Sequence, residues 1–208
     1  MVCSIEAKYI NRFLKSVYDL YRLPAYSKFD ILTEMADFLD QVLDDKSRVY
    51  SRHEKMLLPV IRHLPQALKL AGSKTTELAD SINQIAPFLN WQQTCGYDVL
   101  GDYYTQNYGY CSIIGPNLLI EHSRLKLGFG IWGPGLHYPL HRHAAEECYH
   151  VIGSQVQFRR QDEQWRSFDD GEAIYNKPFE IHELKSSSKA MFLLYTWRGD
   201  VAQNAELI

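Results

Sequence analysis

The chain has 208 residues, enough for one domain to bury a core without help from a disulfide or a structural metal. Its formal net charge is −3 and its lysines and arginines are scattered, so it lacks the basic patch typical of nucleic-acid-binding proteins. We therefore expect no nucleic-acid partner, and a small neutral or zwitterionic molecule is easier to accommodate.

Charged side chains interrupt the first twenty residues, which a signal peptide or a membrane helix does not tolerate. They are Glu6, Lys8, Arg12, Lys15 and Asp19. We therefore expect a cytosolic protein with no membrane association. The four cysteines show no CxxC spacing, which argues against a disulfide framework: Cys3, Cys95, Cys111 and Cys148.

The first part of the chain has a helical period. Apolar residues recur at helical spacing between residues 5 and 88, which predicts three or four amphipathic helices. Pro24 ends the first of them, and Gly72 follows a third that we place at residues 54–70. We expect residues 1–90 to form a helical segment that packs on the rest of the chain.

The second part of the chain, residues 91–208, has the pattern of short strands. Glycines, tyrosines and β-branched residues become frequent, and the turn signals Gly153-Ser154 and Asp169-Asp170-Gly171 separate alternating segments. Such closely spaced strands are typical of a β-sandwich or β-barrel. The segments are LKLGFGIW (125–132), YHVIG (149–153), SQVQFRR (154–160), EAIYN (172–176) and MFLLYTW (191–197).

Residues 137–150, HYPLHRHAAEECYH, concentrate side chains that bind metals or transfer protons. Because residues two apart on a strand project to the same face, His141 pairs with His143, and Glu147 pairs with Tyr149 on the next strand. His182 is the natural fourth ligand from a distant strand. Three histidines and one carboxylate suit Zn²⁺, Fe²⁺, Mn²⁺ or Ni²⁺ and leave positions open for water or substrate.

We expect the other polar residues near these candidate ligands to lie outside the metal site. Glu146 has the opposite strand parity from Glu147, so Glu147 is the preferred ligand. We interpret His137 and His150 as structural or exposed, and Glu183 as a solvated charge on a strand.

The spacing of these residues resembles the two motifs of the cupin family. Cupins are small β-barrels of the jelly-roll type, a double-stranded β-helix that holds a metal ion inside the barrel. The resemblance therefore implies a mainly β fold with an N-terminal helical segment, and one divalent transition metal ion on His141, His143, Glu147 and His182. The positions that carry it are Gly135, His141, His143, Glu147 and Gly153 in the first motif, and Gly171, Pro178 and His182 in the second.

Within the cupins, the chain is similar to the dimethylsulfoniopropionate (DMSP) lyases and the lyase-like proteins grouped with them. The resemblance implies a metal-dependent β-elimination lyase, a carbon-sulfur lyase that cleaves DMSP to dimethyl sulfide and acrylate. A lyase-like cupin for another small carboxylate and a non-catalytic metal-binding cupin are the alternatives. The similar stretches are Tyr138-Pro139-x-His141-x-His143-x-x-x-Glu147-x-Tyr149, NYGYCSIIGP (107–116), His182 and the terminal Tyr195-Thr196-Trp197.

The implied reaction needs a base with a pKa near the working pH, and tyrosine in water, at about 10, lies too high. A nearby metal cation favours the phenolate and lowers that pKa. Tyr149 shares a strand face with Glu147, so we assign it as the general base. Tyr138 is the competitor: parity places it opposite His141 in an unbroken strand, but Pro139 disturbs that count.

The sulfonium group of DMSP is a cation without hydrogen-bond donors, and aromatic rings recognise such groups. By resemblance, Trp197 and Tyr195 are the expected substrate-binding aromatics, together with Tyr108. Exposed barrel edges and the helical segment offer surfaces for a homodimer.

Overall fold

The structure, a computed structural model, describes residues 4–45, 47, 50, 55–94 and 97–208. Cys3, Cys95 and the start of the helix expected at residues 54–70 lie outside this range. Among the described residues, no helix combines the length and apolar character needed to cross a membrane. The α-helices are α1 (Ser4–Tyr21), α2 (Asp30–Asp44), α3 (Leu64–Ala67), α4 (Thr76–Ile85) and α5 (Asp102–Asn107).

The third predicted helix is wrong in its extent. A 3₁₀ turn at Pro59–His63 runs into the four-residue α3, so no long helix spans this region. Pro59 and Pro65 explain the difference, because a proline has no amide hydrogen to donate and is tolerated only in the first turn of a helix.

The described residues after α5 form two five-stranded antiparallel sheets. The first has the order β1-β2-β9-β4-β7 and the second the order β10-β3-β8-β5-β6. The strands are β1 (Tyr108–Ile114), β2 (Leu125–Trp132), β3 (His137–Arg142), β4 (Glu146–Val151), β5 (Gln155–Arg160), β6 (Arg166–Asp169), β7 (Ala173–Asn176), β8 (His182–Ser186), β9 (Met191–Arg198) and β10 (Glu206–Leu207).

Each face of the first sheet is buried in a different core. Its outer face, with Phe129 and Leu194, packs in one cluster with the apolar faces of the helices, including Phe13 of α1. Its inner face meets the second sheet, where residues such as Val151 and Leu184 form a separate cluster. A buried side chain of this size contributes about 1.5–3 kcal/mol. The helices thus cover one side of a barrel, which confirms the expected fold class.

Two buried cysteines lie among the described residues. Cys148 is fully buried on the outer face of β4, in the core shared with the helices, and Cys111 is fully buried in that same core. Both are free thiols. Cys148 therefore acts as a small apolar residue, because strand alternation turns it away from Glu147 and Tyr149.

Candidate active site

Three strands bring the predicted ligands together inside the barrel. His141 lies on β3 directly opposite His182, the first residue of β8, and Glu147 lies on β4. One ligand atom each from His143, Glu147 and His182 lies within 4.8 Å of the others. His141, the fourth predicted ligand, lies beside this group of three rather than within it, with its ring 4.2 Å from that of His182, centroid to centroid. All four side chains are buried.

Each of the three imidazole rings is held by a hydrogen bond between its Nδ1 and a backbone carbonyl oxygen. Nδ1 of His141 lies 2.8 Å from the carbonyl oxygen of Pro139, and Nδ1 of His143 and of His182 make equivalent bonds to Ala145 and Glu180. A carbonyl oxygen only accepts, so each Nδ1 carries the hydrogen. The Nε2 lone pair of each neutral ring is then the atom available to a metal, as in many histidine-metal sites.

The Glu147 carboxylate is held by several donors. The indole nitrogen of Trp197 donates to Oε1 over 2.6 Å, and the side-chain nitrogen of Asn176 donates to Oε2 over 2.9 Å. Nε2 of His143, which donates only when the ring is protonated, lies 3.1 Å from Oε2. Burial raises the pKa of Glu147, but the charge and hydrogen bond of His143 outweigh this effect, and the pKa falls well below its usual value. Glu147 is therefore a carboxylate.

The pKa values of His141 and His143 are shifted in opposite directions. Burial and the neighbouring His182 hold the pKa of His141 well below its usual value, so this ring is neutral. Burial also lowers the pKa of His143, but the charge and hydrogen bond of Glu147 outweigh it, and the net direction is upward.

The unpaired atoms of this cluster fit a metal ion. Nε2 of His141 and Nε2 of His182 are buried and have no hydrogen-bond partner among the described residues. Nε2 of His182 faces Oε2 of Glu147 across 3.4 Å, so two lone pairs point at one another. A buried unsatisfied polar atom costs about 1–3 kcal/mol, and a divalent cation between these atoms would remove that cost. The donor set therefore suits a divalent transition metal.

Glu146, Glu183 and His150 all lie outside the cluster. Glu146 accepts hydrogen bonds from Tyr175 and Arg198, on the side of β4 away from Glu147. His150 is buried in the helix-facing core, where desolvation lowers its pKa to about 3. The expectation of a solvated Glu183 is wrong: its carboxylate is 2% exposed, because neighbouring side chains cover it and pair with its charge.

The inner face of the first sheet presents its side chains in rows. Because strand pairing aligns residues across β2, β9, β4 and β7, one row contains Lys126, Trp197, Glu147 and Asn176. The next row along the strands contains Gly128, Tyr195, Tyr149 and Ile174. The predicted base, Tyr149, thus stands beside Glu147 on the same face, and its ring lies 6.2 Å from the ring of His182.

A β-bulge decides the position of Tyr138. Tyr138 is paired with Leu184 and His141 with His182, so three residue steps on β3 match two on β8. The extra residue, next to Pro139, reverses the alternation and turns Tyr138 to the same face as His141. Their rings stack at 4.0 Å. The simple parity count fails here for the reason that Pro139 suggested.

These side chains line an aromatic cavity with an empty volume of about 440 Å³, which includes the solvent at its mouth. Tyr138, Tyr149, Tyr195, Trp197 and Tyr108 all contribute to its wall. The predicted catalytic and substrate-binding residues therefore reach one cavity, together with Glu147. Lys126, Trp132 and Tyr110 also line it.

The three predicted substrate-binding aromatic residues make different contacts with the side chains around them. Trp197 stacks on His143 at 4.4 Å and has the ammonium of Lys126 5.0 Å above its ring. The hydroxyl of Tyr195 donates to the carbonyl oxygen of Cys111 over 3.0 Å. Tyr108 packs against the ring of Tyr138 at 5.8 Å. Trp197 thus contacts the candidate ligands Glu147 and His143, which its place in the sequence does not reveal.

Asn176 contacts the candidate ligand Glu147, and the sequence pattern did not reveal it. It lies at the last position of the predicted strand 172–176, and its role depends on pairing with Glu147, which lies 29 residues away in sequence. No local spacing signals such a contact, because it arises only from the register of two strands.

The chain was compared with protein-family models, with curated proteins and with solved structures, and each comparison found similar proteins. The model of the dimethylsulfoniopropionate lyase family matches residues 33–194, more than half of the chain. DddL of Cereibacter sphaeroides, whose name assigns it to these lyases, is 30% identical over 149 residues. That match covers 68% of this chain and 60% of DddL, so the chain spans less than two thirds of this relative.

Two crystal structures show the same fold. A chain from the study of the DMSP lyases RdDddP and RnDddQII superposes with a TM-score of 0.80 at 20% identity, covering 98% of this chain and 99% of the other. The DMSP lyase DddQ from Ruegeria pomeroyi DSS-3 gives a TM-score of 0.71 at 18% identity, covering 86% and 94%. The resemblance expected from the sequence is confirmed, and the chain belongs to the dimethylsulfoniopropionate lyase family.

Proposed function

We propose that this protein is a metal-dependent carbon-sulfur lyase that cleaves DMSP to dimethyl sulfide and acrylate. The observation that carries the proposal is the convergence of His143, Glu147 and His182 beside a cavity that Glu147 and Tyr149 line. Membership in the DMSP lyase family supports the same substrate. Zn²⁺, Fe²⁺, Mn²⁺ and Ni²⁺ all accept this ligand set. We also propose that the reaction takes place in the cytoplasm.

The reaction is a β-elimination. A base removes a proton from the carbon next to the carboxylate, the electrons of that bond form the carbon-carbon double bond, and the carbon-sulfur bond breaks. Its electron pair stays on sulfur, so the sulfonium leaves as neutral dimethyl sulfide. The bound metal would act as a Lewis acid that stabilises negative charge on the substrate carboxylate.

The chain's own residues divide the remaining work. We assign Tyr149 as the base, because it stands next to Glu147 in the cavity and near His182. Tyr138, stacked on His141, holds the substrate or takes the proton in its place. The aromatic wall excludes water and accepts the sulfonium, at about 0.5–2 kcal/mol for each good cation–π contact.

Headspace gas chromatography for dimethyl sulfide, after metal-loaded protein is mixed with DMSP, tests the activity. We expect release from the wild-type protein and loss of release after treatment with a chelator. No release from metal-loaded protein would reject DMSP as the substrate. A lyase acting on another small carboxylate would then remain as the alternative.

The Tyr149→Phe variant tests the assignment of the base. We expect it to lose at least about 100-fold in kcat, the scale of general base catalysis, while metal content stays unchanged. Tyr138→Phe serves as the comparison within the cavity. Tyr175→Phe is the matched control, because its hydroxyl binds Glu146 outside the cavity. Wild-type kcat in Tyr149→Phe would remove Tyr149 from this role.

A further inference from the structure

Lys126 is a charged residue in the cavity to which the reaction described above gives no role. It lies on β2 and lines the same cavity as Glu147 and Tyr149. Its side chain is partly buried, and its ammonium lies 5.0 Å above the ring of Trp197. Burial lowers the pKa of Lys126, which reflects the loss of water around the cation.

No carboxylate of the described residues forms an ion pair with this ammonium. The carboxylate that shares the cavity is Glu147, and its oxygens are taken by Trp197, Asn176 and His143. Lysines are rarely withdrawn from water without a partner, since an unpaired cation in such surroundings is costly. An anion bound in the cavity would supply the missing charge.

Strand register places Lys126 in line with the candidate metal ligand. Lys126 is paired with Trp197, and Trp197 with Glu147, so the three side chains follow one another across β2, β9 and β4. Adjacent strands lie about 4.8 Å apart, so the backbone positions of Lys126 and Glu147 are about 10 Å apart. A small carboxylate between them would meet the ammonium on one side and the ligand cluster on the other.

We infer that Lys126 binds the carboxylate of the substrate and thereby sets the direction in which the substrate lies. The inference rests on the proposed function in one respect, namely that the substrate is a small carboxylate. The ammonium repels a second cation near Trp197, so the sulfonium lies instead against the stacked rings of Tyr108, Trp132 and Tyr138.

Two variants and one matched control test Lys126 by kinetics. Lys126→Met keeps an unbranched apolar stem but removes the ammonium group, and we expect it to raise KM for DMSP about 10- to 100-fold, with a smaller effect on kcat. Lys126→Arg keeps the charge and should recover part of the loss. Lys185→Met is the control, because Lys185 also lies over a tryptophan, Trp165, but outside the cavity.

A binding measurement separates this inference from the identity of the substrate. Saturation-transfer NMR titrations compare propanoate with its neutral isostere propanamide on the metal-loaded protein. We expect wild-type protein to prefer propanoate about tenfold or more, and Lys126→Met to lose the preference with unchanged metal content. An unchanged preference in Lys126→Met, or no preference in the wild-type protein, would overturn the inference. A wild-type protein that fails to release dimethyl sulfide but shows the Lys126-dependent preference would reject DMSP and uphold Lys126.

Discussion

The hydrogen bond from Trp197 to Glu147 makes the sharpest prediction about the site. Replacing Trp197 by Phe keeps an aromatic ring beside His143 but removes the indole N–H that donates to Oε1 of Glu147 over 2.6 Å. The carboxylate is 1% exposed, so water does not replace the lost donor. A hydrogen bond to a charged group contributes about 1.5–3 kcal/mol, and we expect the free energy of unfolding to fall by at least that amount.

Trp132→Phe provides a control with the same change in ring size. Trp132 is as well buried as Trp197 and lines the same cavity, but its indole nitrogen has no hydrogen-bond partner among the described residues. Its replacement removes an unsatisfied donor, so part of the packing loss is offset. Trp197→Phe should therefore lose at least about 1.5 kcal/mol more than Trp132→Phe.

Urea unfolding followed by circular dichroism on metal-stripped protein measures this difference without a contribution from a bound metal. Metal affinity of Trp197→Phe, measured by chelator competition, should fall about 10- to 100-fold, because residues that orient a ligand have effects of that size. Equal losses of stability in the two variants, with unchanged metal affinity, would refute the role assigned to the indole hydrogen.

Two further predictions concern packing and charge elsewhere in the barrel. Gly128→Ala should lower the free energy of unfolding by about 1–3 kcal/mol in urea melts, because the added methyl would overlap the carbonyl oxygen of Cys111; a change within about 0.5 kcal/mol would contradict this packing. Burial raises the pKa of Glu183, but its hydrogen bonds to Arg159 and His137 outweigh this and lower it below 4.5. The stability that this lowered pKa contributes is present above about pH 4.5 and is lost as the pH falls through the folded-state pKa. Urea melts from pH 7 to 2 should therefore show a smaller loss of unfolding free energy on acidification in Glu183→Gln than in wild type. Parallel plots of unfolding free energy against pH for the two proteins would contradict this reasoning.

Three of the candidate ligands could be predicted from the sequence because their placement depends on local geometry. His141 and His143 are two residues apart, and Glu147 and Tyr149 repeat that spacing on the next strand, so alternation alone predicts which side chains share a face. The predicted strand 125–132 matches β2 at both ends, since Arg124 precedes this largely apolar segment and Gly133-Pro134 follows it. Such patterns require no knowledge of which strands become neighbours.

The contacts that complete the site come from parts of the chain that are far apart in sequence. Lys126, Trp197 and Asn176 flank Glu147 only because four strands pair in one register, and a shift of one residue would turn every side chain to the other face. The face of Tyr138 depends on a bulge against β8. The sequence by itself indicated the type of barrel and the candidate metal ligands, because short spacings and the alternation of strand faces predict His141, His143 and Glu147, and the resemblance to the cupin motifs supplies His182. Only the tertiary structure decided what surrounds Glu147, because long-range strand register is not encoded in any local period.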